Sequence, residues 1–150
     1  MQLIIIRHGE AGMHAVDAQR PLTPPGRADV TRVSRAIAAA CDGAFDAIWH
    51  SPYKRARESA ELLAEELQLP LIQQDSLTPE HDPGAVLTLL QQQPAQSRLL
   101  LVSHMPLVNI LTGLLVDGRS GGYPFATSQA VMLEMDYPSM GCATFLKQFL

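Results

Sequence analysis

Three short apolar runs in this chain end alike, each delivering polar groups at its last residues. Ile4-Ile5-Ile6 runs into Arg7-His8-Gly9, Ile48-Trp49 into His50-Ser51, and Leu100-Leu101-Val102 into Ser103-His104. Runs this short and this apolar read as strands covered on both faces. Longer stretches with helical spacing lie between them. That alternation predicts an α/β domain of three layers, a mostly parallel central sheet flanked by helices.

The spacing places strands over residues 2–6, 47–50, 71–73 and 99–103, and two later ones over 130–135 and 143–149. The first helix has Thr23 as its cap, Pro24 and Pro25 in its first turn, and Val30, Val33 and Ile37 on its apolar face. A second starts near Pro52, uses Ala56, Ala60, Leu63 and Leu67, and stops before Pro70. Residues 83–92 and 107–116 give a third and a fourth. The Gln-rich stretch 91–96 reads as an exposed connection, and 117–128, with Gly118, Gly121, Gly122 and Pro124, as a loop. No repeat or dividing linker is visible, so residues 1–150 are expected to form one domain.

Composition narrows the function classes. Apolar residues make up 47% of the 150 and charged residues 17%, the balance of a chain that folds compactly. A net charge of −4 argues against a general nucleic-acid binder, which needs clustered Lys and Arg on one face. The first residues have neither the basic start nor the long apolar stretch of a signal peptide. Ser103, His104, Pro106 and Asn109 interrupt the one apolar stretch that approaches membrane-spanning length, residues 99–116. A cytoplasmic chain with no membrane association is expected. Its two cysteines, Cys41 and Cys142, are expected to be reduced thiols, and its default state is a monomer.

In open α/β sheets ligands bind beyond the carboxyl ends of the strands, so the three polar tips are expected to share one crevice. Arg7 and Arg55 can each present a planar fork of donors that stays charged, which implies an anionic substrate. Arg55 also falls near a helix start, where free backbone N–H groups and the helix dipole attract anions. The alternative for Arg55 is a surface arginine lying along its own helix, since Lys54 and Arg57 sit beside it.

His8 by position alone suits a general base, a metal ligand, a nucleophile or a structural ring. The fixed charge of Arg7 next to it disfavours a dication. The same charge favours attack by a neutral imidazole on phosphorus, because it stabilises the group being transferred. Gly9 would then let the backbone pass close to the anion.

Together, Arg7-His8-Gly9 at the end of an N-terminal strand, Ser51-Pro52 with Arg55 and Ala56, and the later Ser103-His104 resemble the motifs of the histidine phosphatase superfamily. Glu10-Ala11, Arg20-Pro21-Leu22-Thr23 and Gly26 resemble its short branch of SixA-type phosphohistidine phosphatases. The resemblance runs from residue 2 to about residue 129. It implies a phosphoglycerate mutase-like fold and a phosphohydrolase in which His8 is the nucleophile and carries the phosphoryl group transiently. It further implies that Arg7 and Arg55 bind that group, His104 donates a hydrogen bond to it, and no cofactor or metal is required. Ser51 belongs to the second motif block and is counted with the substrate-binding residues. Arg20 matches a family arginine that reaches substrate, with a solvated loop charge as the alternative. Larger members take a general acid from the segment after the third strand. Here that segment reads Leu77-Thr78-Pro79-Glu80-His81-Asp82-Pro83, so Glu80 is the first candidate and Asp82 the second, unless Asp82 simply caps the helix at Pro83. A phosphohistidine leaving group can arrive already protonated, which makes such an acid less necessary.

Only residues 69–97 separate the second helix from the fourth strand, leaving little chain for a lid. A crevice without a roof covers a small ligand poorly, whereas a phosphorylated side chain on a protein can reach into it. The expected partner is therefore a phosphorylated protein, such as a histidine phosphotransfer domain or a phosphocarrier. The alternatives are a small-molecule phosphomonoesterase of the same superfamily, a module that binds phosphorylated partners without turnover, and a metal-dependent hydrolase built on His8, His50, His81 and His104. The last is disfavoured because these histidines lack metal-ligand spacing and His50 and His81 read as surface residues.

Overall fold

The computed structural model of the chain describes residues 1–41 and 44–150. Six strands form, β1 (Gln2–Arg7), β2 (Ala47–His50), β3 (Leu71–Gln73), β4 (Arg98–Ser103), β5 (Ala130–Glu134) and β6 (Thr144–Phe149). Four α-helices join them, α1 (Pro24–Ala40), α2 (Lys54–Leu67), α3 (Pro83–Gln91) and α4 (Leu107–Asp117). The strands make one sheet in the order β3-β2-β4-β1-β5-β6. β1 to β4 run parallel to one another, β5 pairs antiparallel with β1 and β6 antiparallel with β5, the mostly parallel sheet that the sequence predicts.

Alternate residues of the central strands feed two cores, because successive side chains in a strand point to opposite faces. Leu3, Ile5, Trp49, Leu99, Leu101, Val131 and Leu133 pack with Val86 and Leu90 of α3 and Leu107, Leu111 and Leu115 of α4. Ile4, Ile6, Ile48, Leu100 and Val102 pack on the other face with Val30, Val33 and Ile37 of α1 and Ala56, Ala60 and Leu63 of α2. Burying each such aliphatic side chain stabilises the fold by roughly 1.5–3 kcal/mol. Trp49 is wholly a core residue. The apolar stretch 99–116 divides into β4 and α4, and no helix among the described residues is long and apolar enough to cross a membrane.

The helix ends follow side-chain chemistry. Thr23 caps α1 by accepting from the Gly26 N–H at 3.0 Å, with proline in the first turn. Asp82 caps α3 by accepting from the Gly84 N–H at 3.0 Å. α2 starts two residues later than Pro52, because the Ser51 hydroxyl first takes the Tyr53 N–H at 3.2 Å and closes a turn.

This topology fixes where a site can lie. After β1 the chain crosses to α1 on one face, whereas after the neighbouring β4 it crosses to α4 on the opposite face. Adjacent parallel strands whose connections diverge leave a crevice at their carboxyl ends. Between β2 and β4, residues 68–97 are taken up by β3, a single turn at Asp75–Leu77 and α3, so no inserted helix roofs that end.

Candidate active site

At the carboxyl ends of β1 and β4 lies a crevice of about 390 Å³ lined by Arg7, His8, Asp17, Arg55, Glu80 and His104, together with Arg20 and Thr127. His8 and His104 come from the tips of adjacent strands. Arg7 pairs with Ser103 in the sheet register, and the two histidine rings sit 4.9 Å apart between centroids.

The β1 tip is held from three sides. The His8 N–H donates to the Ser103 carbonyl, and the Gly9 N–H donates to the Ser59 hydroxyl, both at 3.0 Å. Ser59 stands one turn after Arg55 on α2 and donates in turn to its carbonyl at 2.7 Å. Ser128 donates its N–H to the carbonyls of Arg7 and His8 at 3.1 and 3.0 Å. Its backbone is left-handed, with φ of 66°.

These contacts define the protonation of His8. Its Nδ1 lies 2.7 Å from the Gly9 carbonyl, an acceptor, so Nδ1 carries the hydrogen. Nε2 therefore keeps its lone pair and accepts from Arg55 Nε at 3.3 Å. Burial above all, then Arg55, Arg7 and Arg20, lower the His8 pKa from 6.5 to about 4, although the Gly9 contact opposes this. A neutral imidazole with an unprotonated Nε2 faces the crevice at neutral pH.

His104 is 1% exposed. Burial, followed by His8, Arg55 and Arg7, lowers its pKa to about 2. Its Nε2 lies 2.8 Å from the Ser51 hydroxyl, which also accepts from the Tyr53 N–H. A hydroxyl that accepts from Tyr53 and donates to Nε2 satisfies both contacts and leaves the proton on Nδ1. That Nδ1 is buried without a partner, as is Nε of Arg7. Both are donors of the kind an oxyanion satisfies.

The two arginines differ in support. Arg7 donates from Nη1 to the Phe125 carbonyl at 2.8 Å. Burial, then Arg55, lowers its pKa. Arg55 is 6% exposed, pointing inward while Arg57 remains outside. Asp17 grips its far end, accepting from Nη1 through the carbonyl at 2.9 Å and from Nη2 through the carboxylate at 3.3 Å. Although burial pushes the other way, bonds from Arg20 and Arg55 hold the Asp17 carboxyl below its usual value.

Most residues singled out in the sequence converge here, with informative exceptions. Arg20 lines the crevice, but its Nε donates to the Gly12 carbonyl at 2.8 Å and its Nη1 to Asp17 at 3.3 Å. Ser51 stands behind His104 rather than in the lining. A Cβ built on Gly9 would meet Val30 at 2.8 Å and the Gly26 carbonyl at 2.9 Å, so the absent side chain makes room for α1. Glu80 lines the crevice while Asp82 is occupied as a helix cap.

His50 corrects the surface reading. It is 5% exposed, with Nδ1 2.9 Å from the Ser51 carbonyl, because β2 is an interior strand. Among the described residues no group of three His, Cys, Asp or Glu is placed to hold a metal ion. Asp17, Ser59 and Ser128 were not legible as site residues. Ser59 alone left a signal, its i+4 spacing from Arg55 on one helix face.

Comparison with known proteins agrees with this geometry. The family model of the histidine phosphatase superfamily (branch 1) matches residues 3–86. Phosphohistidine phosphatase SixA of Escherichia coli (strain K12) is 32% identical over 146 residues, covering 94% of this chain and 89% of that protein. A solved structure of the protein histidine phosphatase SixA complexed with tungstate superposes with a TM-score of 0.90 at 30% identity, covering 99% and 96% of the two chains. A phosphoserine phosphatase from Entamoeba histolytica, in complex with 3-phosphoglyceric acid, shares the fold with a TM-score of 0.68 at 17% identity, covering 99% of this chain and 96% of that one. Family match, relatives and site thus agree that the chain belongs to the histidine phosphatase superfamily and is a phosphatase.

Proposed function

We propose that this phosphatase removes the phosphoryl group from phosphohistidine on a protein, through an intermediate in which His8 is itself phosphorylated. The observation that carries the reading is the state of His8 Nε2, unprotonated and facing a crevice with two guanidinium groups and the buried Nδ1–H of His104 around it. In the first step Nε2 attacks phosphorus, the substrate's P–N bond breaks, and its electron pair leaves with the substrate ring. Arg7, Arg55 and His104 stabilise the charge on the transferring oxygens. Water then attacks phosphorus, the P–Nε2 bond breaks, and inorganic phosphate departs as the electron pair returns to His8. No step calls for a metal.

Two further facts favour a protein substrate. Residues 68–97 insert no helix over the crevice, and the similar SixA of Escherichia coli is named a phosphohistidine phosphatase. The test incubates wild type and His8→Ala with a phosphohistidine-bearing phosphotransfer protein, chelator present, and follows phosphate release and label on the enzyme. Acid-labile label on wild type, absent from the variant, with release slowed at least ~10³-fold in the variant, is the expected result. Activity surviving in His8→Ala overturns the nucleophile. Wild type inert on the phosphoprotein but active on small phosphate esters overturns the substrate.

A further inference from the structure

Tyr53, the residue that opens α2, touches three members of the site. Its ring meets His104 edge-on with centroids 5.1 Å apart, and the Arg55 guanidinium lies 5.1 Å from its ring centre. Its hydroxyl is 3.4 Å from each carboxylate oxygen of Glu80, a long hydrogen bond shared between the two. Burial and then the Glu80 carboxylate push the Tyr53 hydroxyl up from its ordinary value, so it remains a donor. Glu80 is an exposed residue on the turn before α3, and the cap of that helix is taken by Asp82. The Tyr53 hydroxyl is thus what ties the Glu80 carboxylate to the crevice wall.

A carboxylate fixed there acts differently on two kinds of leaving group. An imidazole leaves phosphorus readily when its second nitrogen is protonated, because it then departs neutral, and a carboxylate accepting from that N–H favours the protonated ring. An alkoxide leaving from a phosphate ester needs a proton delivered to it, which an ionised carboxylate cannot supply. His8 already shows the first arrangement on the enzyme's side, where the Gly9 carbonyl holds the Nδ1–H of the ring that is to carry phosphorus.

Resting on the phosphohistidine reading above, the geometry points to the Tyr53–Glu80 pair as a specificity determinant that favours N-phosphoryl over O-phosphoryl substrates. Glu80 accepts a hydrogen bond from the protonated leaving ring, and Tyr53 is the positioning residue that holds it there. In the transfer the P–Nε2 bond to His8 forms as the substrate's P–N bond breaks. The electron pair stays on the leaving nitrogen, and the proton on the other ring nitrogen stays in place opposite Glu80. The carboxylate also offsets the repulsion that Arg7 and Arg55 would exert on a cationic ring. A substrate phosphohistidine and His8 then stand on either side of phosphorus, each with its far N–H on an oxygen acceptor.

The experiment compares kcat/KM, which reports transfer from the substrate, on two peptides of one sequence carrying phosphohistidine or phosphoserine. Wild type, Tyr53→Phe, Glu80→Gln and the double variant are measured. Tyr53→Phe keeps the ring and its packing on His104. Each single variant is expected to lower the phosphohistidine-to-phosphoserine ratio about tenfold, the worth of one hydrogen bond to a charged group. The double variant should fall no further than Glu80→Gln. An unchanged ratio overturns the inference, and a ratio that rises, as loss of a proton donor to the ester would cause, overturns it too. Wild type inactive on the phosphohistidine peptide but active on the phosphoserine peptide instead strikes the function reading itself, and the inference with it.

Discussion

Asp17 holds Arg55 by its main chain and its side chain at once, the carbonyl taking Nη1 at 2.9 Å and the carboxylate Nη2 at 3.3 Å. With both terminal nitrogens engaged, the Nε–H of Arg55 is left aimed at Nε2 of His8, 3.3 Å away. The aspartate therefore orients the guanidinium without facing the lone pair itself.

Replacing Asp17 with Ala should free the far end of Arg55 and lower kcat/KM about tenfold through lost orientation. The Asp17 side chain is 60% exposed, so stability should shift by less than ~0.5 kcal/mol. Steady-state kinetics beside thermal melts check this. A drop in Tm with unchanged kinetics would show that the contact is structural alone.

Ser51→Ala removes the hydroxyl that lies between the Tyr53 N–H and Nε2 of His104. The proton is then free to reside on Nε2, and phosphate affinity should fall along with kcat, by about tenfold for one lost charge-assisted bond. Titration with tungstate or phosphate, followed by calorimetry, reads this directly. Equal affinity in variant and wild type would remove His104 from oxyanion binding.

Acid should weaken the fold in a defined window. His8 protonates at 6.5 in the unfolded chain and at about 4 in the folded one, so between these values the unfolded state binds more protons. Stability is flat above pH 6.5 on this account and falls as pH drops from 6.5 toward 4, losing roughly 3 kcal/mol to His8 alone. Urea midpoints across that range, for wild type and His8→Gln, test it. The variant should lose less, and identical slopes would contradict the buried neutral ring.

Two glycines near the β1 tip should respond very differently to alanine. A Cβ on Gly26 would lie 2.3 Å from the Glu10 carbonyl oxygen, a backbone atom that cannot rotate away. Gly26→Ala should cost about 3 kcal/mol and disturb the residues after His8. On Gly12 the nearest atom is the Pro21 carbonyl at 3.7 Å, so Gly12→Ala should stay within ~1 kcal/mol of wild type. Chemical denaturation of both variants decides the matter.

The inner strands β1, β2 and β4 were legible because buried parallel strands announce themselves as apolar runs, and the crevice followed from where those runs end. Thr23 and Asp82 were readable as caps from local chemistry. The supports were not. Asp17 reaches Arg55 across 38 positions and Ser59 reaches Gly9 across 50, and no local pattern encodes such distances. His50 was misread for a related reason. A polar residue at a strand end looks exposed until the neighbours of that strand are known, and β2 lies between β3 and β4. At Gly9 the missing side chain also serves packing that local sequence does not show, since the body crowding it is a helix brought in by tertiary contact.

The separation of the two histidine rings, 4.9 Å, matches the spacing of about 4.8 Å between neighbouring strands in any sheet. The main-chain hydrogen bonds between β1 and β4 thus set the two ring-bearing residues side by side, and the contacts from Ser128 and Ser51 hold the tips there. Only loop residues around the crevice that make none of these contacts are left free to diverge. A lineage could exchange one substrate for another by rewriting those rims, with the placement of His8 beside His104 inherited unchanged.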